Sequence, residues 1–282
     1  GPMSTSSGSG RRPWTFYVLA TLFGAYVLAL YGPMFCIYLL SFQDLRGGLV
    51  FPMKGFSLHW FEDLFTQVRT GDVKGSFWRS MQLAVLVTLL TVVLSFFAGL
   101  GFRRRFRGDG IVFYVMIASL VAPGLVLGIG IGLLFQFLGL PAGWSTSALG
   151  AQLTLTLPFG ILVMFAVMSR FDRAWEEAAR DLGATPIQTT WLVVVPILLP
   201  GLVAVALFGF TLSYDEFPRT LQTAGSLNTL PLEIWSMTLN VTSPSLYALG
   251  TVTTLVSFLA IGLSLGSIAL IQRRRAKRAM DA

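Results

Sequence analysis

Residues 172–196 read Asp172-Arg-Ala-Trp-Glu-Glu-Ala-Ala-Arg-Asp-Leu-Gly183, then Ala184-Thr-Pro-Ile-Gln-Thr-Thr-Trp-Leu-Val-Val-Val-Pro196. Locally this is helix, turn, helix. Asp172 can cap the first helix, and Glu176 and Glu177 lie near its start, where negative charge suits the macrodipole. Trp175, Ala178, Ala179 and Leu182 share one face at spacings i, i+3, i+4 and i+7. Gly183 is a natural stop, since it has no Cβ to oppose a left-handed turn. Thr185 then caps a second helix, with Pro186 at its first position, where a missing N–H costs nothing. The paired alanines leave a flat face that the backbone of another protein can approach closely. Glu177 and Arg180 beside that face can add directional polar contacts. An amphipathic helix lying on lipid headgroups is the competing reading.

What surrounds the hairpin is strongly apolar. The chain has 282 residues, of which 54% are hydrophobic and only 12% charged, with a mean hydropathy of +0.73. A soluble domain carries about 25% charged residues to cover its core, so much of this surface must face something other than water. Six apolar runs, near residues 14–42, 81–102, 111–138, 148–168, 193–212 and 247–271, are each long enough to cross about 30 Å of hydrocarbon. They are continuous rather than alternating, which excludes a porin-like barrel. The expected fold class is an all-α membrane protein with six transmembrane helices. The 23 Phe and 7 Trp exclude a disordered chain. One cysteine (Cys36) and one histidine (His59) leave no disulfide framework and no Cys- or His-based metal site.

The basic residues orient the six spans. With both termini in the cytoplasm, Arg11, Arg12, Arg103–Arg105, Arg107, Arg170, Arg173, Arg180 and the five cations of 273–278 share one side, 14 of the 20 Lys and Arg. This satisfies the positive-inside rule. The net charge of +7 is then a topology signal, and the basic C-terminal segment a stop-transfer anchor rather than a nucleic-acid patch. Gly1-Pro2 before Met3 reads as the scar of a cleaved tag, and residues 1–13 as a cytoplasmic tail. Residues 14–282 are expected to form one transmembrane domain, with the hairpin as its loop 171–192. The first run is too long for the h-region of a cleaved signal peptide. An outer connection from Gln43 to Lys74 holds a short amphipathic helix over 59–66, and a second outer connection runs from Pro218 to Ser245. His59 is read as an ordinary surface residue. Glu62 and Asp63 beside it are candidates to meet a binding protein.

The hairpin carries a resemblance. Glu177-Ala178-Ala179, three residues, Gly183, nine residues, Val193, one residue and Val195-Pro196 is similar to the EAA motif of ABC importer permeases. The family pattern ends in Ile-x-Leu-Pro, where this chain has Val-x-Val-Pro. Ala122-Pro-Gly-Leu-Val-Leu-Gly-Ile-Gly-Ile-Gly-Leu-Leu134 with Leu138-Gly-Leu140 resembles the third span of the spermidine/putrescine permease subfamily. Thr211-Leu-Ser-Tyr-Asp-Glu-Phe217, Thr229-Leu-Pro-Leu-Glu-Ile-Trp-Ser-Met237 and Pro244 resemble it too. The resemblance implies a type I importer fold in a bacterial cytoplasmic membrane, and a coupling helix of Trp175, Glu176, Glu177, Ala178, Ala179, Arg180, Leu182 and Gly183. The implied partners are a dimer of ATP-binding subunits carrying ATP and Mg2+, a second permease forming a heterodimer, a solute-binding protein and membrane lipid, without nucleic acid. The implied substrates are polyamines. Relatives importing opines, aminophosphonates or ferric ion share parts of the same motifs.

An importer needs an energy source that the chain lacks. A P-loop requires Gly-x4-Gly-Lys-[Ser/Thr], and none of Lys54, Lys74 and Lys277 follows a glycine. The chain is therefore read as no enzyme, with no cofactor of its own. A secondary transporter, the alternative of a different class, buries ionisable residues near mid-membrane. Here the spans hold almost none, apart from Asp215-Glu216 at the outer end of the fifth. Two readings of that pair stand: an interfacial cap ion-paired to Arg219, or a cation-attracting lining of the substrate path formed with the rings of Tyr214 and Phe217. Trp235 and Tyr247 read as an aromatic belt. Gly124, Gly128, Gly130 and Gly132 read as a close-packing surface.

Overall fold

The computed structural model describes residues 13–66, 71–104, 106–240 and 243–280. Residues 1–12 of the expected tail, with Arg11 and Arg12, and also Arg69 and Arg105, lie outside the described residues. The chain runs through α1 (Trp14–Leu40), α2 (His59–Thr66), α3 (Val73–Phe102), α4 (Asp109–Val121) and α5 (Gly124–Phe137). It continues through α6 (Ser147–Met168), α7 (Ala174–Asp181), α8 (Pro186–Thr189), α9 (Val195–Tyr214), α10 (Leu230–Asn240) and α11 (Ser245–Met280). Helices suit lipid because every backbone group is satisfied within its own segment.

Three helices make the centre. Thr91 of α3 meets Thr156 of α6 by a buried hydroxyl–hydroxyl bond of 2.8 Å. Further along, Gly99 faces Met164 and Met168, while at the other end Leu83 and Val87 cluster with Ala148. α3 and α6 therefore run parallel. α9 runs against both, since Gly201 faces Val167, Gly160 faces Val205 and Gly209 faces Thr88. Small residues at these crossings let helix backbones approach where lipid offers no hydrophobic drive. α11 packs on the end of α9, with Ala248 and Leu249 beside Tyr214, and α1 lies outermost against α11.

Five of the six expected runs appear as helices long and apolar enough to span a membrane. The third differs. Residues 111–138 form α4 and α5, bent by 110° at Ala122-Pro123. Ala122 is extended at φ −63°, ψ 134°, because the residue before a proline is pushed out of the helical region. The pair still makes one crossing, since two parallel helices, α3 and α6, need a return between them. Counting it so gives six spans among the described residues. α3 begins eight residues earlier than its apolar run, and α10 occupies a connection read as loop. α2 matches its expected range residue for residue.

The fifth span is one helical path from Pro186 to Tyr214, but it contains a π turn, Thr190–Val194. Pro196 supplies the reason. It has no N–H to offer the carbonyl of Leu192, and its ring opposes regular winding there.

Candidate functional site

The hairpin sits where α3 and α6 end. α7 is stopped by a Schellman turn: Gly183 at φ +88° donates its N–H to the Arg180 carbonyl, and Ala184 donates to Ala179. Asp172 Oδ1 accepts the Ala174 N–H at 2.9 Å. Thr185 opens α8 with a reciprocal capping box, its hydroxyl accepting from Gln188 N–H while Gln188 Oε1 accepts from Thr185 N–H. The Thr185 cap was legible in the sequence, though the role of Gln188 was not; for α7 the cap position falls to Arg173, one residue beyond the expected Asp172.

α7 has two different faces. Trp175 is 61% exposed and Leu182 90% exposed, and Ala178 beside them is exposed as well. Glu176 points the other way. Its Oε1 accepts from Arg103 Nη1 at 2.7 Å, and the Arg103 guanidinium also lies 5.1 Å from the Phe171 ring centre. Arg173 donates to the Arg103 carbonyl at 3.1 Å. The inward face thus fastens α7 to the end of α3, and the apolar face is left to the surroundings. Among the expected coupling residues, Glu176 belongs to the fastening and Trp175, Ala178 and Leu182 to the open face.

At the opposite end, the acidic pair separates. Tyr214, Asp215 and Phe217 line a cavity of about 410 Å³ with Ile234, Trp235 and Thr238. Phe217 and Trp235 rings approach to 5.7 Å, and Tyr214 stacks on Phe210 at 5.9 Å. Asp215, just beyond the last residue of α9, stands exposed at this cavity. Its apolar neighbours desolvate the carboxylate and push its pKa above the ordinary aspartate range. Glu216, only 7% exposed, turns away to Arg219: its Oε1 accepts the Arg219 backbone N–H at 2.9 Å and lies 3.7 Å from Nη1. Arg219 is 6% exposed and touches the Ser119 carbonyl across the bend at 3.5 Å.

Three residues of this end were missed by sequence reasoning. Gln152 in α6 accepts from Ser213 at 2.5 Å and donates to Thr220 at 2.9 Å. Glu233 in α10 accepts from Asp72 N–H and from Asn228 Nδ2, and Arg79 bridges Asp72 to the Asn228 carbonyl. A lone glutamine inside an apolar run was the available signal for Gln152, since polar side chains in spans mark interhelical bonds. Of the four glycines read as a packing surface, Gly124 and Gly128 face Arg219 and Gly132 faces Gln222, while Gly130 faces open space.

The bundle defines a multi-pass helical membrane protein with a helical hairpin presented at one end. Residues 91–278 match the family described as binding-protein-dependent transport system inner membrane component, and the chain belongs to that family, the permeases of ABC transporters. It is 31% identical over 241 residues to the spermidine/putrescine transport system permease protein PotC of Haemophilus influenzae, covering 83% of this chain and 90% of the relative. To the putrescine transport system permease protein PotI of Escherichia coli (strain K12) it is 28% identical over 249 residues, covering 86% and 85%. Its fold matches a chain of a bacterial alginate ABC transporter, solved in complex with a periplasmic protein bound to an alginate pentasaccharide, at a TM-score of 0.64 and 15% identity, covering 94% and 96%.

Proposed function

We propose that this chain is the permease subunit of an ATP-driven importer for polyamines or similar small organic cations. The observation that carries this reading is its relation along most of its length to permeases named for spermidine and putrescine. The alginate transporter supports the fold alone, and its acidic cargo illustrates that one fold serves substrates of opposite charge. The cavity of Tyr214, Asp215, Phe217 and Trp235 supports a cation: a carboxylate beside aromatic faces suits an alkylammonium group. Glu216 enters that site only indirectly, through the Arg219 pair.

In this reading the hairpin end is cytoplasmic, both termini lie there, and the open face of α7 docks on an ATP-binding subunit. A dimer of those subunits holds ATP and Mg2+, a second permease completes the substrate path, and a binding protein delivers cargo outside. Nucleotide-driven closure moves α7, and the Arg103–Glu176 contact passes the motion to α3. Alternating access follows if the outward and inward states differ in affinity for their ligands. The test is reconstitution of the full complex in proteoliposomes with its binding protein loaded with putrescine, spermidine or a neutral amino acid. Polyamine-selective uptake dependent on ATP is expected. Uptake by this chain alone, driven by an ion gradient and indifferent to ATP, would mean a secondary transporter instead.

A further inference from the structure

Between α7 and the end of α3, around the Arg103–Glu176 contact, lies a cavity of about 590 Å³ to which the transport reading assigns no ligand. Arg103, Arg104, Arg173 and Arg180 line it, against Glu176 and Glu177. Glu176 is already spent on Arg103, and Arg180 stays 3.9 Å from it, beyond hydrogen-bond reach. Each guanidinium has five N–H donors, so Arg173 keeps several after its single bond to the Arg103 carbonyl. Four cations therefore converge on a space with two carboxylates. The remaining wall is mixed, with Leu100 and Val194 beside the hydroxyls of Thr189 and Thr190. Trp191 and Leu192, one turn away, are exposed.

We propose that this cavity holds the phosphate of an anionic phospholipid headgroup, wedged behind the coupling helix. Arginine forks match phosphate oxygens geometrically, and basic pockets between transmembrane helices on the cytoplasmic side are suited to such headgroups. The exposed side chains of Trp191 and Leu192 favour lipid over a soluble phosphate, because acyl chains can lie along them towards the bilayer. The inference rests on the hairpin being at the cytoplasmic end. It assigns the membrane a part in setting how firmly α7 is held.

The assembled transporter, purified in detergent and titrated with phosphatidylglycerol or phosphatidylcholine, tests this by native mass spectrometry. Selective retention of phosphatidylglycerol is expected. The double variant Arg104→Gln with Arg173→Gln should weaken it about 25-fold, at about fivefold per arginine, while Arg104→Lys with Arg173→Lys keeps most of it. Equal phosphatidylglycerol affinity in the Gln variant and the parent overturns the proposal. Full displacement by millimolar inorganic phosphate would assign the site to a soluble anion and overturn the lipid. Loss of the ATP-binding subunit from the Gln variant, with lipid retention unchanged, would assign the arginines to that partner. Absence of any ATP-binding subunit from the parent sample would count against the transport reading, and lipid retention is read separately from it.

Discussion

Arg103 and Glu176 join the end of α3 to the inward face of α7 through a charge-assisted bond of 2.7 Å. Both side chains are mostly screened from water, at 16% and 18% exposure. Such a bond contributes more than an exposed ion pair, about 1.5–3 kcal/mol. With the Arg173 bond to the Arg103 carbonyl, it fastens the hairpin to the end of α3, and in the proposed mechanism it is the joint through which a push on α7 would move α3.

Arg103→Gln and Glu176→Gln should each uncouple ATP hydrolysis from uptake. An expected loss of about 2 kcal/mol at this joint corresponds to roughly a thirtyfold drop in uptake per ATP. Membrane insertion and helix content should hold, since no span loses its packing. The exchange Arg103→Glu with Glu176→Arg should recover part of the loss. Uptake and hydrolysis measured on the same proteoliposomes check this, and an unchanged ratio in both single variants would remove the joint from the mechanism.

The stop of α7 gives a second test. Gly183 at φ +88° is in a region where a side chain costs about 1–2 kcal/mol, so Gly183→Ala should weaken association with the ATP-binding subunit about tenfold. Gly183→Pro forces φ near −65° and removes the N–H given to Arg180. It should abolish association and transport. Glu177→Lys, at the edge of the open face of α7, should do the same while leaving the turn intact. Co-purification reads all three, and normal recovery of the complex from Glu177→Lys and Gly183→Pro would sink the docking assignment.

These two tests concern a region that was largely legible in advance, and the reason is local. Caps, a glycine stop and an i, i+3, i+4 stripe are written within a dozen residues, so α2 emerged with its expected limits and α7 with its stop at Gly183. The second helix of the hairpin instead begins at Pro186 and runs on into the fifth span, which was expected to start near Val193. The bend at Ala122-Pro123 was hidden inside an uninterrupted apolar run, because hydropathy records burial in lipid and not direction. α3 extends past its apolar part since Arg79 finds Asp72 and the Asn228 carbonyl, the second lying 149 positions away, beyond any window around residue 79. Gln152 meets Ser213 across 61 positions, and the division of Asp215 from Glu216 depends on which way consecutive side chains turn after α9.

That division predicts unequal effects. Asp215→Asn should reduce polyamine uptake about tenfold through loss of one carboxylate–ammonium contact, with little change in thermal stability. The desolvated Asp215 carboxyl has a raised pKa, so as pH falls it takes up a proton before an ordinary aspartate does and loses its attraction for cations. Uptake in the parent should therefore decline on acidification at a higher pH than an ordinary aspartate would produce, and Asp215→Asn should flatten that part of the profile. Glu216→Ala should instead destabilise the chain by about 3–5 kcal/mol, because it leaves Arg219 buried without its carboxylate. Uptake against pH and thermal unfolding in detergent separate the two, and equal effects at both positions would contradict the geometry.

The glycine row of α5 offers a contrast within one helix. A Cβ added at Gly128 would meet the Arg219 carbonyl oxygen at 2.6 Å, whereas one at Gly130 would meet nothing within 4 Å. Backbone cannot swing aside as a flexible side chain can, so Gly128→Ala should push α5 off the 219–222 segment and cost about 1–3 kcal/mol. Arg219 would shift with it, disturbing both the Glu216 pair and the contact to Ser119 at the bend. Gly130→Ala should be neutral or slightly stabilising, because alanine restricts the unfolded chain more than glycine does. If Gly128→Ala melts at the same temperature as Gly130→Ala, the tight seat of α5 on the Arg219 backbone does not hold that helix in place. A lower melting temperature with impaired uptake only in Gly128→Ala would tie the bend to the buried Arg219–Glu216 pair, and through it to the cavity beside Asp215.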